Sequence, residues 1–299
     1  MIQRERVSDN VYSFQSDIYA QVTAGAVIGP NWAVVIDTLA LPEETLAIRD
    51  FIEHEISVPV RYVINTHYHA DHAWGTYFFP GATVIGHSLC RKWLEERGKP
   101  SLESNRRQTQ AFRNVKIVLP HITFDEGQLS LRVGKKNLVM MPLPGHSTDN
   151  IAVLVEEDRV LFSGDACMPL PYIVDGNIDD LIVSLKKVSK MGLENIVQGH
   201  GDIVLRGEID EYVKDNLNYL SQIRKAVRKA NRRKYPMDIL DEVSVESCGK
   251  SRVLIGGLSE QLHHRNLIAL YKQMYGEVPL ASGDDEDDGF EYEDEEDED

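Results

Sequence analysis

The sequence predicts an α+β protein built as a four-layer αββα sandwich, two β-sheets face to face with helices on both outer sides. Three observations carry that expectation. Short strands rich in Val, Ile and aromatic residues open each half of the chain, helices follow them, and the same grammar runs through twice. Strands followed by helices, repeated, describe two similar halves of one sandwich rather than two independent domains.

In the first half, residues 11–14, 21–28 and 32–36 read as strands, with Gly29, Pro30 and Asn31 as a turn. Residues 42–56 read as a helix: Pro42 suits a first turn, and Glu43 and Glu44 favour its positive end. Residues 61–65 form an apolar strand that runs into a histidine cluster, and 87–97 read as a helix stopped by Gly98. In the second half, 122–133 and 137–141 read as a hairpin around Gly134. Residues 151–156 and 159–162 read as another, turning at Glu157 and Asp158. Residues 179–191 are expected to be helical, 196–198 a short strand and 208–233 a long helix. The expected organisation is a main domain over 1–235, a helical extension over 236–283 packed on it, and a tail over 284–299.

Charge is concentrated in that tail. The chain carries a net charge of -16, yet residues 284–299 hold 13 Asp and Glu and no Lys or Arg, leaving 35 acids against 32 bases elsewhere. Such a segment buries too little apolar surface to offset the entropy of ordering, so it is expected to be disordered and solubilising. Docking onto the basic run 224–234 is the sharper alternative. That run has helical spacing and little aromatic interleaving, which reads as a solvated helix face and argues against nucleic-acid binding.

Cys90, Cys167 and Cys248 are too few and too scattered for a disulfide framework. The N-terminus lacks the apolar run of a signal peptide, and no stretch approaches the roughly 20 apolar residues of a membrane span. A reducing cytoplasm is the expected location, with no membrane partner.

The chemistry is concentrated in Thr66-His67-Tyr68-His69-Ala70-Asp71-His72, at the end of an apolar strand. Histidines at i and i+2 point the same way while the backbone stays extended. Asp71 and His72 turn to another side as the chain enters a helix, so one segment offers ligands to two adjacent metals. Imidazole and carboxylate are ligands that zinc accepts. Three more candidates follow strands and lie beside glycines: His146 after Gly145, Asp165 after Gly164, and His200 between Gly199 and Gly201. Cys167, two residues past Asp165, reads as a buried structural thiol. His87, His121, His263 and His264 read as structural or surface histidines.

Taken in order and spacing, Asp37, His67-x-His69-x-Asp71-His72, His146, Asp165 and His200 resemble the five signature motifs of the metallo-β-lactamase superfamily, over about residues 10 to 235. The resemblance implies that His67, His69 and His146 bind a first metal. Asp71, His72 and His200 would bind a second, and Asp165 would bridge both. Asp37 and Asp71 are the carboxylates expected to serve catalysis, Asp37 by orienting a ligand histidine. The implied cofactors are two Zn²⁺, with iron or manganese as alternatives, and the implied reaction is attack of a metal-bridging hydroxide on a carbonyl carbon.

Asp165 argues against the branches that place Cys, or no bridging Asp, in the fourth motif. It is similar to the glyoxalase II, lactonase and tRNA-processing branches, and the segment 164–181 looks most like generic bacterial members. Pro169, Pro171 and Tyr172 offer a stiff wall for a substrate pocket. The expected activity is hydrolysis of an ester, thioester, lactone or lactam of a small molecule. An iron-dependent sulfur dioxygenase and a metal-dependent nuclease are the rival enzymes, and a binding module with a vestigial site is the non-enzymatic reading. The oligomeric state is open.

Overall fold

Alternating apolar residues in the opening strands give each one two faces to bury. In the computed structural model, which describes residues 2–277, seven strands pair in chain order into the first sheet. They are β1 (Ile2–Ser8), β2 (Val11–Ser16), β3 (Thr23–Ile28), β4 (Ala33–Ile36), β5 (Val60–Ile64), β6 (Thr83–His87) and β7 (Ile122–Phe124). The second sheet runs in the order β13 (Val204–Leu205), β12 (Asn195–Val197), β11 (Val160–Phe162), β10 (Ile151–Val155), β9 (Lys136–Pro142) and β8 (Leu129–Val133). Each sheet is antiparallel where hairpins join neighbours and parallel where helices cross over: β4, β5, β6 and β7 run parallel, as do β11 and β12.

The alternation settles the layering. Val34, Ile36, Ile64 and Ile85 meet Leu138, Met140, Val153 and Phe162 in a core between the sheets. The intervening residues Ala33, Val35 and Val63 face outward onto Ile48, Phe51 and Ile52 of the helix Pro42–Asp50 and its continuation. On the far side, Ala152, Leu161 and Ile196 of the second sheet pack against Leu181 and Leu185 of the helix Ile178–Val188 and Leu220 and Ile223 of the helix Ile209–Ala230. The order of layers is therefore helix, sheet, sheet, helix, as expected. At about 25 cal/mol per Å² of apolar surface, three such cores dominate the stability of the sandwich.

Two readings need correction, and two strands carry no clear signal in the sequence. Residues 122–133 are not one arm of a hairpin: β7 joins the first sheet beside β6, and only β8 pairs with β9. The chain crosses between sheets at the turn containing Gly127, whose φ of 74° breaks the strand. The helix expected to stop at Gly98 instead runs on through Lys99–Gln108. A wide π-type turn over Leu94–Gly98 lets Pro100 enter without sacrificing a regular hydrogen bond. β1, whose outward residues are charged, and β6, whose five residues precede the helix Ser88–Trp93, went unrecognised.

The chain after Pro236 packs on the outer helix layer. Leu240, Leu267, Leu270 and Tyr271, from the helices Pro236–Asp241 and Ser259–Tyr275, share the core containing Leu220 and Ile223. In the basic run, Val227 and Ala230 turn inward and Arg224 pairs with Asp179. The acidic tail at 284–299 and its docking on that run lie outside the described residues. No helix among the described residues is long and apolar enough to cross a membrane.

Candidate metal centre

Parallel strands end side by side, so the loops that leave their C-terminal ends converge. Asp37 follows β4, His67 follows β5, Asp165 follows β11 and His200 follows β12. His146 comes from the loop between β9 and β10. His69 stands at the start of the short helix Ala70–Ala73, and Asp71 and His72 lie on its first turn. All seven predicted ligand residues are brought together, in two groups. His67, His69, His146 and Asp165 form one and Asp71, His72 and His200 the other, with donor atoms inside each group all within 4.8 Å of one another.

Asp165 lies between the groups. Its carboxylate oxygens stand 3.3 Å from His146 Nε2 and 3.8 Å from His67 Nε2 on one side, and 3.2 Å from His72 Nε2 and 3.4 Å from His200 Nε2 on the other. His69 Nδ1 stands 3.0 Å from both His67 Nε2 and His146 Nε2. Two nitrogens on one tetrahedral zinc, at 2.0–2.1 Å each, lie about 3.3 Å apart. His72 Nε2 and Asp165 Oδ1 are buried yet have no hydrogen-bond partner. A buried polar atom left this way costs roughly 1–3 kcal/mol unless something else satisfies it. The residues therefore fit a divalent metal site.

The distal nitrogen of each histidine fixes which nitrogen faces the centre. His146 Nδ1 donates to Tyr172 O at 2.8 Å, and His200 Nδ1 donates to Ala20 O at 2.9 Å. His69 Nε2 donates to Asp175 Oδ2 at 2.8 Å, and His72 Nδ1 donates to Asp37 Oδ2 at 2.9 Å. The Thr66 hydroxyl gives its one proton to Asp37 Oδ2 at 2.7 Å, so it accepts from His67 Nδ1 at 3.0 Å. Every inward nitrogen thus carries a bare lone pair in the neutral ring, as ligation requires.

Electrostatics differs between the two groups of histidines. Burial, reinforced by the charge of His72, holds His67 well below the usual imidazole range, and burial brings His146 down to about 4. Burial also opposes charge on His72 and His200, but Asp165 foremost and Asp71 behind it override this and raise both. Asp165 is pushed up by burial and pulled well below the usual carboxylate range by His200, His72 and His146.

Close packing needs glycine here. A Cβ at position 199 would stand 1.8 Å from Asp165 Oδ1, so any other residue displaces the carboxylate. Gly164, at φ 53°, faces Asn150 Oδ1 and Thr66 with no room for a side chain. Cys167 takes no part: it is buried, with its thiol pushed up to about 12 by that burial. His87 caps the helix after β6, His121 accepts from Val84 N, and His263 bonds Tyr219.

Sequence reasoning missed Asp175. Its carboxylate accepts from His69 Nε2 and from the Tyr68 hydroxyl at 2.7 Å, and the His69 bond holds it below the usual carboxylate range despite burial. It lies 106 residues from His69 in sequence, so no local spacing connects the two. The C-terminal helix secures its loop: Asn266 bonds Ile173 N at 2.9 Å and Pro171 O at 2.7 Å, and Gln273 bonds Gly176 O at 3.0 Å. Asp175→Asn is expected to weaken metal binding about tenfold with little loss of fold, because the amide no longer fixes the His69 tautomer. Titration against a chromogenic chelator measures this, and unchanged affinity would refute the role.

The centre opens into a cleft of about 660 Å³ lined by Tyr19, Tyr68, Trp74, Met168 and Tyr172, with Ile255, Leu258 and Leu262 supplied by the C-terminal extension. Tyr172 thus lies on the cleft wall, whereas Pro169 and Pro171 are not among its lining residues.

Comparison with known proteins places this arrangement in a family. The profile of the metallo-beta-lactamase superfamily matches residues 19–228. The beta-lactamase-like protein 2 homolog of Caenorhabditis elegans is 24% identical over 190 residues, which cover 63% of this chain and 58% of that protein. The human acyl-coenzyme A thioesterase MBLAC2 is 26% identical over 249 residues, 72% of this chain and 86% of that one. Among solved structures, a metallo-beta-lactamase from Pontibacter korlensis superposes with a TM-score of 0.60 at 18% identity, covering 73% of this chain and all of that one. With the profile covering residues 19–228, the chain belongs to the metallo-beta-lactamase superfamily.

Proposed function

We propose that the protein is a binuclear metal-dependent hydrolase of a carbonyl bond in a small molecule, with thioesters first among esters, thioesters, lactones and lactams. The observation that carries the reading is the Asp165 carboxylate, set between two groups of inward-facing donors whose tautomers are fixed from behind. His67, His69 and His146 would hold one metal, Asp71, His72 and His200 the other, and Asp165 both. The names of relatives, an acyl-coenzyme A thioesterase and a thioesterase, support the placing of thioesters first.

Two zinc ions bound there supply Lewis acidity and lower the pKa of water from 15.7 toward about 7. The chain's own residues do the rest. Asp165 and Asp71 balance part of the cationic charge, and the distal hydrogen bonds keep the imidazoles from rotating as charge moves. Trp74, Met168 and Tyr172 wall the cleft against bulk water. Tyr19 lines the cleft, and the Asp71 charge and burial raise its phenol above the usual range. Among the described residues no cysteine lines the cleft and Ser101 bonds no histidine, so an activated side-chain nucleophile lacks its parts there. A cleft of this size suits a small molecule better than a nucleic acid.

Elemental analysis of the purified protein, with hydrolysis of ester, thioester, lactone and lactam panels, tests the proposal. About two zinc per chain are expected, with thioester turnover abolished by a chelator and restored by zinc. One iron per chain with oxygen consumption on a persulfide would overturn it in favour of the sulfur dioxygenase.

A further inference from the structure

The cleft does not end at the metal-ligand groups. Arg97, Val174, Asp175 and Arg265 line both the metal cleft and an adjoining depression of about 520 Å³. Beyond that waist the depression is walled by Trp93, Ile268, Ala269 and Lys272. One face of the helix Ser259–Tyr275 serves both parts, with Leu262 toward the metals, Arg265 at the waist, and Ile268, Ala269 and Lys272 beyond. These positions follow the i, i+3, i+4, i+7 spacing of a single helical face.

Three cations therefore meet there, in a chain whose acids outnumber its bases 48 to 32. Among the described residues none of the three forms an ion pair with a carboxylate, although Arg4, Arg49, Lys99, Arg132, Arg206 and Arg224 all do. The one carboxylate at the waist, Asp175, is occupied by His69 and Tyr68. Arg97 is held in place: its guanidinium lies 4.6 Å over the Trp93 ring and 5.8 Å from the Tyr68 ring, with an N–H 3.5 Å from the Tyr68 hydroxyl. Arg265 stands on a helix pinned by its neighbour Asn266 to Pro171 and Ile173. Side chains fixed in advance lose less entropy on binding an anion, and the planar fork of Arg matches phosphate oxygens.

The helix also sets a length. At 1.5 Å per residue, Leu262 and Lys272 are roughly 15 Å apart, so an anion seated midway between Arg265 and Lys272 lies roughly 10 Å along the helix from Leu262, on the metal side of the cleft. A charge carried on a short acyl group falls short of that span. An anionic end on an extended thiol arm reaches it, and Met168, Ile255, Leu258 and Leu262 give the metal cleft apolar walls that suit an acyl group. Resting on the thioesterase reading above, we propose that Arg97, Arg265 and Lys272 form a phosphate-binding subsite, and that the substrate is an acyl thioester of a phosphorylated, pantetheine-type thiol.

The test compares hexanoyl thioesters of pantetheine, of 4′-phosphopantetheine and of a carboxylate-bearing peptide thiol, in wild type, Arg265→Gln and Lys272→Gln. Calorimetric binding of free 4′-phosphopantetheine is measured in parallel. The phosphorylated thioester is expected to be preferred over the neutral one about tenfold in kcat/KM, through KM. Each variant is expected to lower that preference about three- to tenfold, and added salt to erode it. Equal turnover of phosphorylated and neutral thioesters by wild type would overturn the subsite and leave the hydrolase standing. Preference for the carboxylate-bearing thioester would overturn the phosphate assignment. If no thioester is hydrolysed, the thioesterase reading fails and calorimetry decides the subsite alone: binding weakened in both variants supports it, and absent binding overturns it.

Discussion

Asp165→Asn is expected to strip the protein of at least one metal and reduce hydrolysis by at least about 100-fold. A residue that merely orients a metal ligand typically costs 10- to 100-fold, and Asp165 faces histidine nitrogens of both donor groups at 3.2–3.8 Å. The amide has the same shape but no charge, and it presents N–H where an oxygen faced bare imidazole nitrogens 3.2–3.8 Å away. That amide satisfies the nitrogens by hydrogen bonding and closes the site from within. Removing the charge also leaves Asp71 as the only carboxylate among the seven residues. Elemental analysis gives the primary readout, and thermal unfolding with and without chelator gives the second. A tightly bound ligand at 1,000 times its Kd stabilises the folded state by about 4 kcal/mol, so wild type should lose several degrees on chelation and the variant much less. Full metal content with full activity would show that Asp165 is not shared between metals.

The reach of the sequence can be judged from where each ligand sits. His67, His69, Asp71 and His72 lie within six residues, so strand and helix periodicity alone separate them into two directions, as the two donor groups do. Asp165 and His200 follow short apolar strands with glycine alongside, a local signal as well. Asp175 gave no such signal. It acts through a hydrogen bond to a histidine in the other half of the sandwich, in a loop held by Asn266 and Gln273 of the C-terminal helix. The same limit explains the error at 122–133. Alternation shows that a strand has two faces, but the neighbour to which its edge hydrogen-bonds depends on the path of the whole chain. The cations at the waist of the cleft were hidden for a related reason. Arg97 and Arg265 are 168 positions apart in the sequence, each reads alone as an ordinary surface charge, and only the packing of the last helix brings them to one cleft.

Asp37→Asn should uncouple metal binding from folding. Asp37 sits at φ 56°, a conformation asparagine accepts readily, so the backbone has no reason to move. One carboxylate oxygen accepts from Thr66 N at 2.8 Å, and an amide oxygen can replace it there. The other accepts from both the Thr66 hydroxyl and His72 Nδ1. An amide N–H in that place faces two donors, so both must turn round. His72 then keeps its proton on Nε2, the atom that faces the centre. The Thr66 hydroxyl accepts from the amide and turns its own proton toward His67 Nδ1, which favours the wrong tautomer there too. One oxygen therefore governs a ligand in each donor group, and zinc affinity is expected to fall about 10- to 100-fold at near-native stability. Asp37→Ala should behave differently. It leaves Thr66 N without its acceptor and puts alanine, which tolerates the left-handed region less well than aspartate, at φ 56°, costing roughly 1–3 kcal/mol in stability besides the metal. Chelator-competition titration and thermal unfolding of both variants separate the two effects. Native zinc affinity in Asp37→Asn would mean that the tautomers of His67 and His72 are set by something other than this carboxylate.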